Sequence, residues 1–373
     1  MAGHGERGLR FAHVDSTAAI GTSGTVGTIG DGRSRFDRLG REAAEEALLA
    51  PGATRAAGAG RRAVAEEPDP WRTCFERDRD RILHATAFRR LAGKTQVFVH
   101  PDDHQRTRLT HALEVSQVAT GIARACRLNV ALTEAIALGH DCGHGPGGHA
   151  SEDALSPYVE GGFDHAPWGA DVSLAGLNLC RETLDGIRNH SWSRPAPQTP
   201  EGEVVSWADR IAYVCHDFED AVGSGVVTPA VLPEVVRDRC GERRGQQLGA
   251  FIDAMVTTIL TTGRIGMDEE AAEALAAFRA CNYERIYLRP RSVAQGRAVV
   301  DVLQALVEHY AERPQRVPDV AELAGSGDVP DAGSPEACRA AVAYVAGMTD
   351  RYAFGQAVAV LGWDPTRLPL GAR

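Results

Sequence analysis

The sequence predicts an all-α protein whose helices extend from about residue 70 to residue 365. Over that stretch, apolar residues recur at intervals of three and four, which is typical of the buried face of a helix. Strand signals are poor, because valines form only short runs and no alternating segments flank an Asn-Gly turn. The composition is that of an ordinary globular chain, with 43% of the 373 residues apolar and 24% charged.

The individual helices are predicted from apolar spacing and from residues typical of helix ends. The segment 75–93 carries its apolar residues at helical spacing, and the segment 110–128 repeats that spacing behind Thr110, a residue type favoured at N-caps. A third helix is expected to begin near Thr133 and to end near Gly143. Further amphipathic helices are predicted over 173–190, 202–222, 245–262, 268–281, 293–311 and 335–361.

The first 66 residues differ from the rest of the chain. They are rich in Gly, Ala, Ser, Thr and Arg and show no sustained apolar period, so we predict a flexible arm with one short helix over 41–49. Their Gly-rich stretches lack the order G-x-x-x-x-G-K-[ST], which argues against a phosphate-binding P-loop. We expect a core over 67–222 and a C-terminal helical part, residues 223–373, packed on that core.

The charge and the cysteines argue against several classes of protein. A net charge of −10 does not support a broad basic face for nucleic acid, although a small anionic substrate needs only a local basic cluster. No apolar run reaches ~18 residues, so we expect no membrane span, and residues 1–10 lead into no apolar signal segment. The eight cysteines form no C-x-x-C pair, which fits a reducing cytoplasm.

Metal-ligating residue types are concentrated in the middle of the chain, where ten of the 13 histidines lie between residues 84 and 216. The strongest group is His111, the pair His140-Asp141, and Asp209, each within or at the end of a predicted helix. Two imidazoles and two carboxylates suit a divalent first-row metal ion that keeps open coordination positions. A single helical histidine is more commonly a core residue, so this prediction depends on the group as a whole.

Three other features carry weaker signals. Lys94 is the only lysine of the chain, and it lies close to Arg89 and Arg90 in the sequence. Two interpretations of this basic cluster stay open, a solvated helix face and a contact with a phosphate or an effector. Trp192 and Trp207 are interpreted as core residues rather than as base-stacking ones.

Five sequence blocks resemble one family of HD phosphohydrolases. The H…HD…D spacing is the signature of that superfamily, and the blocks resemble its deoxyguanosine triphosphate triphosphohydrolase family, in the bacterial branch. The blocks are RDRDRILHATAFRRLAGKTQVF, RTRLTHALEVSQVA, ALGHDCGHGPGGHASEDAL, LNLCRETLDGIRNH and ADRIAYVCHDFEDA. The similarity runs from about residue 72 to residue 222 and continues more weakly through CNYERIYLRP and YVAGMTDRYA. It implies an HD-domain helical bundle with additional C-terminal helices.

The same resemblance implies an activity and partners. It implies hydrolysis of dGTP, or of dNTPs more broadly, to the deoxynucleoside and inorganic triphosphate. The cofactor it implies is a divalent metal ion, Mg²⁺, Mn²⁺ or another first-row ion. A homo-oligomer, either a tetramer or a hexamer, and a dNTP effector are expected on the same ground.

Roles are carried over only to the residues that match the family's motifs. The resemblance implies metal ligands at His111, His140, Asp141 and Asp209, catalytic residues at His149 and Glu152, and substrate contacts at Gln96, Arg108, Tyr213 and Asp217. His149 would be the general acid, and Glu152 would orient it. Gln96 would contact the sugar 3′-hydroxyl, Arg108 a phosphate, and Tyr213 the sugar ring.

Two segments depart from the family pattern. In HDCGHGPGGH, Gly145 and Gly147 replace a proline and an aromatic residue, although the spacing to His149 is kept. The stretch FDHAPWGADVS also differs, and His165 within it is assigned no role. Two alternatives therefore stay open. One is another HD phosphohydrolase, such as a nucleotidase or phosphodiesterase, and the other is a dNTP- or single-stranded nucleic-acid-binding protein with vestigial hydrolysis.

Overall fold

A computed structural model describes residues 3–4, 10–11, 36–99 and 104–369, and within them the all-α prediction is confirmed. The strands of this described part are the antiparallel pair β1 (Gly3–His4) and β2 (Arg10–Phe11). The helices are α1 (Arg38–Leu48), α2 (Cys74–His84), α3 (Thr86–Arg90), α4 (Arg108–Ala125), α5 (Val130–Gly139), α6 (Ala150–Leu155), α7 (His165–Trp168), α8 (Arg181–Arg188), α9 (Pro200–Gly223), α10 (Glu234–Cys240), α11 (Arg244–Thr262), α12 (Glu269–Asn282), α13 (Pro290–Ala311), α14 (Val320–Ala324), α15 (Pro335–Ala346) and α16 (Asp350–Leu361). No helix in these ranges is long and apolar enough to cross a membrane.

Four helices form the centre of the molecule: α4 packs against α5 and α9, and α2 packs against α5. Helix α5 is apolar on nearly every face, as expected for a helix surrounded by others, and Leu132, Ile136 and Leu138 within it are buried. The same core takes in buried residues of α4, such as Val115 and Ile122. This packing fixes the relative positions of the ends of α4 and α5 and of the middle of α9.

Capping residues place the ends of these helices a few residues away from the predicted ones. Helix α5 begins at Val130 because the Asn129 side chain accepts a hydrogen bond from the Leu132 amide, at 3.2 Å. Helix α4 begins at Arg108, and Thr110 lies inside it, where its hydroxyl accepts from the Thr107 amide at 3.0 Å.

The C-terminal helices build a second hydrophobic cluster. Helix α13 packs against α6, α15 and α16, and its Val302, Leu303 and Leu306 are buried there. The single helix predicted over 335–361 is wrong, because the chain is divided there into α15 and α16. The Thr349 side chain caps the second of these helices by accepting from the Tyr352 amide.

The predicted flexible arm over 1–66 is wrong for its second half. Helix α1 forms close to the expected 41–49, and the irregular segment after it packs on the core, with Ala53 and Ala56 buried. The Thr54 amide and hydroxyl donate to the buried Glu201 carboxylate, at 3.0 and 2.7 Å. Small residues without an apolar period can still be ordered by such polar contacts. Apart from the strand residues, the first 35 residues lie outside the described ranges.

A chain that begins at Glu67 should therefore be less stable than the full chain. Its Glu201 carboxylate would lose both Thr54 donors, and the core surface under Ala53 and Ala56 would be uncovered. Each unsatisfied buried polar group costs roughly 1–3 kcal/mol. We expect the thermal midpoint to fall by at least about 5 °C, measured by circular dichroism, with a smaller fall for Thr54→Val in the full chain. Equal midpoints would show that this segment adds nothing to the fold.

Candidate functional site

The structure brings together the four residues of the H…HD…D pattern. His111 lies in the first turn of α4, His140 and Asp141 follow the end of α5, and Asp209 lies in α9. His111 Nε2 lies 2.9 Å from Asp209 Oδ1. His140 Nε2 lies 3.5 Å from Asp141 Oδ1 and 3.6 Å from Asp209 Oδ1. Four potential ligands therefore converge from three helices that the central core holds together.

The His140 ring is oriented as a metal ligand would be. Its Nδ1–H donates to the Ala137 carbonyl at 2.6 Å, so Nε2 is the ring nitrogen directed at the carboxylates. Among the described residues, this buried Nε2 has no hydrogen-bond partner. Burial lowers the pKa of His140, but Asp141 and Asp209 raise it more strongly, to about 9. The carboxylates thus favour a positive charge at this point, and the donor set fits a divalent cation.

Arg108 connects this cluster with a cavity. Its Nη1 donates to Asp141 Oδ2 at 2.8 Å, and both side chains are buried. Its Nε and Nη2 have no partner within the described part of the chain. Gly148 leaves room for this guanidinium, because a Cβ there would lie 2.9 Å from Arg108 Nη2, and its φ of +64° also favours glycine. The arginine thus retains donors that a ligand can take.

Glu152 was expected to orient His149, and the structure pairs it with a different histidine. Glu152 Oε1 accepts from the His165 Nδ1–H at 2.5 Å and from the His165 amide at 3.2 Å. The Glu152 amide donates to the His149 carbonyl at 3.0 Å, but no hydrogen bond joins the two side chains in the described ranges. The reason is directional: His149 precedes α6, whereas the Glu152 side chain turns from α6 toward the start of α7. Burial raises the pKa of Glu152, but the His165 hydrogen bond lowers it more, to about 2, so Glu152 is ionised.

Three further histidines surround the predicted cluster, and sequence reasoning gave none of them a role. His144 Nε2 lies 3.2 Å from Asp141 Oδ1, and its ring stacks on that of His165 with centroids 3.7 Å apart. His165 Nε2 lies 3.1 Å from His190 Nε2. The excess of histidine in this part of the sequence was the one signal that could have identified them.

A cavity of about 580 Å³ opens beside this cluster. Eight of the ten predicted site residues line it: Gln96, Arg108, His111, Asp141, His149, Asp209, Tyr213 and Asp217. His140 is buried outside this lining, and Glu152 lines an adjoining cavity that shares His149 and His165 with the first. The His149 ring is exposed to the cavity, yet its enclosure by protein and the charge of Arg108 lower its pKa to about 4.

Further polar groups line the same cavity. The Tyr287 hydroxyl donates to Asp217 Oδ2 at 2.5 Å, and burial raises the pKa of Asp217 to about 7. The Tyr213 hydroxyl accepts from Arg279 Nε at 3.0 Å. Gln96 Oε1 is buried without a partner among the described residues. These groups can bind a ligand that carries hydroxyls.

Two arginines that sequence reasoning missed line the same cavity. The Arg210 guanidinium lies 3.6 Å from the centroid of the Trp192 ring, and Arg279 lies 4.5 Å from that of Tyr283. Neither forms a salt bridge with a carboxylate in the ranges that the structure describes. Trp192 was interpreted as a core residue, and this is wrong, because it is 47% exposed at the cavity. Arg210 and Arg279 therefore offer the cavity two guanidinium groups that an anion can bind.

Comparisons with known proteins agree with this geometry. The HD domain family matches residues 108–214, and the phosphohydrolase-associated domain matches residues 265–357. A deoxyguanosinetriphosphate triphosphohydrolase-like protein of Caldanaerobacter subterraneus subsp. tengcongensis is 40% identical over 323 residues, which cover 84% of this chain and 92% of the relative. A protein of the same name from Ralstonia pickettii is 36% identical over an alignment 382 positions long, which covers 86% of this chain and 96% of the relative.

A solved structure is also similar to this chain. It is that of a hypothetical protein from Aquifex aeolicus, with a TM-score of 0.47 and 17% identity, covering 75% of this chain and 67% of that chain. The sequence relatives decide the family, because they are similar to this chain along nearly their whole length. The chain belongs to the bacterial deoxyguanosinetriphosphate triphosphohydrolase-like family of HD-domain proteins.

Proposed function

We propose that this protein hydrolyses deoxynucleoside triphosphates to the deoxynucleoside and inorganic triphosphate, in a metal-dependent reaction. The observation that carries the proposal is the pairing of two features in one cavity. A His/Asp cluster that fits a divalent cation lies beside Arg108, Arg210 and Arg279, in a chain whose net charge is −10. A bound metal ion and these guanidinium groups together would supply the positive charge that a highly anionic substrate needs. The names of the relatives support the same activity.

The metal would be held by His111, His140, Asp141 and Asp209. When bound, such an ion acts as a Lewis acid on a phosphate oxygen. Arg108 donates to Asp141 through one nitrogen and keeps two others for a phosphate. Arg210 and Arg279 line the same cavity and would bind the remaining phosphates.

The reaction needs one proton at the leaving group. A bond forms between a water oxygen and the α-phosphorus, and that water loses a proton to solvent. The bond from that phosphorus to the 5′-oxygen breaks, and the 5′-oxygen takes a proton. His149 is our candidate for the general acid, because it is exposed to the cavity. Its pKa is low without substrate, partly because of Arg108. A bound triphosphate brings negative charge beside the ring and raises that pKa, which is the direction a general acid requires.

The polar residues Gln96, Tyr213 and Asp217 of the cavity would hold the sugar. Tyr213 lies one helical turn after Asp209 on α9, so its ring lies near any nucleotide whose phosphates reach the cluster. Gln96 and Asp217 line the same cavity and can exchange hydrogen bonds with a sugar hydroxyl. We further propose that the protein assembles as a homo-oligomer and binds a dNTP as an effector, as the family resemblance implies.

The altered loop does not favour a vestigial site. Gly145 and Gly147 stand where the family has a proline and an aromatic residue, yet His149 still lines the cavity. Nucleotide binding alone would need neither a His/Asp cluster that fits a divalent cation nor a histidine exposed to the cavity beside it. Substrate hydrolysis is therefore the better supported alternative.

A product assay tests the proposed function. Incubation with each dNTP and Mg²⁺, Mn²⁺ or Co²⁺ in turn should give inorganic triphosphate and deoxynucleoside in equal amounts, separated by ion exchange. His140→Ala should lose both the metal, by elemental analysis, and the activity, with an unchanged helical circular dichroism spectrum. Release of orthophosphate or pyrophosphate instead would indicate another nucleotidase. Tight dNTP binding without any product would favour a vestigial site.

The roles of His149 and Glu152 can be separated by double variants. His149→Ala should lower kcat by about 10² or more, the scale expected of a general acid, and should retain metal. Because Glu152 pairs with His165, the double variant Glu152→Gln/His165→Gln should have the same kcat as His165→Gln alone. Glu152→Gln combined with His149→Ala should lower kcat further than either change. If Glu152→Gln instead lowered kcat further in His165→Gln but had no further effect in His149→Ala, Glu152 would act through His149.

Tyr213 should make the enzyme prefer deoxyribose to ribose, because a ring against C2′ leaves no room for a 2′-hydroxyl. Tyr213→Ala should narrow the ratio of kcat/KM for dGTP over GTP by at least ~10-fold. Tyr213→Phe keeps the ring and loses only the contact with Arg279, so it should keep the ratio. Metal content should not change in either variant. A parent enzyme that hydrolyses GTP as fast as dGTP would contradict this role.

A further inference from the structure

Three segments that are distant in sequence meet at the wall of the active-site cavity, which Thr95 and Gly147 help to line. They are residues 90–95 after α3, the loop 143–149 that leads to His149, and the turn 346–350 between α15 and α16. The first of these segments precedes the HD domain, the second lies within it, and the third belongs to the phosphohydrolase-associated domain. Three charged side chains, Arg90, Lys94 and Asp350, make contacts among them.

Asp350 holds two of these segments with one carboxylate. Its Oδ1 accepts from the Gly147 amide at 2.8 Å. Its Oδ2 accepts from the Thr95 amide at 3.0 Å and from the Thr95 hydroxyl at 2.5 Å. The Asp350 residue is only 4% exposed, so these charge-assisted hydrogen bonds are shielded from water. Asp350 therefore connects the start of α16 with the loop that precedes His149.

Lys94 holds the same loop from another side. Its ammonium group donates to the His144 carbonyl and to the Ala346 carbonyl, the second at 3.1 Å. The only lysine of the chain is thus buried, so the solvated helix face considered from sequence does not describe Lys94. Arg90, its neighbour in sequence, donates to the Gly347 carbonyl at 3.1 Å. All these contacts join residues 90–95 to the turn 346–350 or to the loop.

The loop depends on such anchors because of its glycines. Gly147 and Gly148 have φ values of +73° and +64°, a region that residues with a side chain rarely adopt. A Cβ at Gly147 would lie 2.4 Å from Val299 Cγ1, on α13. Glycine lowers the intrinsic stiffness of a segment, and this loop has glycine where its family has a proline and an aromatic residue. Its conformation must therefore be held by groups outside it.

We propose that Asp350 and Lys94 are positioning residues: they hold the loop 143–149 so that His144 and His149 lie correctly in the cavity. The kinetic consequence rests on the proposed function, whereas the structural consequence does not. In this arrangement the C-terminal helices are not an independent addition to the HD domain. They supply the anchors that shape its active-site loop.

Asp350→Asn tests the proposal in the full chain. The amide can accept through one oxygen only, so its nitrogen must face either the Gly147 or the Thr95 donors, and one segment is released. The matched control is Val342→Ala, which opens a cavity in the same C-terminal core through α15 and removes no hydrogen bond to either segment. Three measurements are made on both variants: thermal midpoint, hydrogen exchange of peptides by mass spectrometry, and steady-state kinetics with dGTP and metal.

We expect amide exchange in peptides covering 143–149 to rise at least ~10-fold in Asp350→Asn, with peptides of α4 and α9 unchanged. The kcat should fall on the order of 10-fold to 10²-fold, because a small displacement of a reacting group costs that much. KM and bound metal should stay near the parent values. Val342→Ala should lower the thermal midpoint comparably and change neither loop exchange nor kcat.

Two results would overturn the proposal: unchanged loop exchange in Asp350→Asn, or equal effects of both variants on exchange and kcat. If Asp350→Asn does not fold, the pair Thr95→Val and Thr95→Ser replaces it. The first removes the hydroxyl donor and should raise loop exchange, and the second keeps it and should behave as the parent. If the parent hydrolyses no dNTP, the proposed function fails, and the exchange measurements still decide whether Asp350 holds the loop.

Discussion

The site depends on how the buried carboxylate of Asp141 is neutralised. One of its oxygens accepts from Arg108 at 2.8 Å, and the other lies 3.2 Å from His144 and 3.5 Å from His140. A buried carboxylate without partners costs several kcal/mol, so these groups must be held in register with one another. Because Arg108 begins α4 and Asp141 follows α5, the two side chains can pair only when these helices are packed together. The apolar interior of the bundle provides that packing.

The fold and the centre of the site were predictable because their signals are local. Apolar periodicity identifies α4, α5 and α9, and the H…HD…D pattern lies on them, so packing the helices brings the four residues together. Helix ends were displaced by a few residues, because Asn129 caps α5 with its side chain and the Thr110 hydroxyl accepts from the Thr107 amide from inside α4. These are errors of position within elements that were identified correctly, and they leave the cluster unchanged.

The remaining features come from contacts between segments that are distant in sequence. Apolar periodicity along the chain does not predict such contacts. The pairing of Glu152 with His165 depends on how α7 lies against α6, and Arg279 reaches the cavity from α12. The segment that carries Thr54 looked unstructured because its small residues carry no apolar pattern, yet its hydrogen bonds to Glu201 order it. Polar contacts between distant segments decide all three cases, so composition and spacing could not have predicted them.

The environment, rather than the residue type, divides the histidines into two groups. Asp141 and Asp209 raise the pKa of His140, so that side of the cluster attracts a cation. Enclosure by protein and the charge of Arg108 lower the pKa of His149, so the His149 ring stays neutral until the charge around it changes. Under the proposed function, a bound triphosphate neutralises Arg108 and adds negative charge next to His149. Substrate binding and protonation of His149 are then coupled, and the proton is available only when there is a leaving group to receive it.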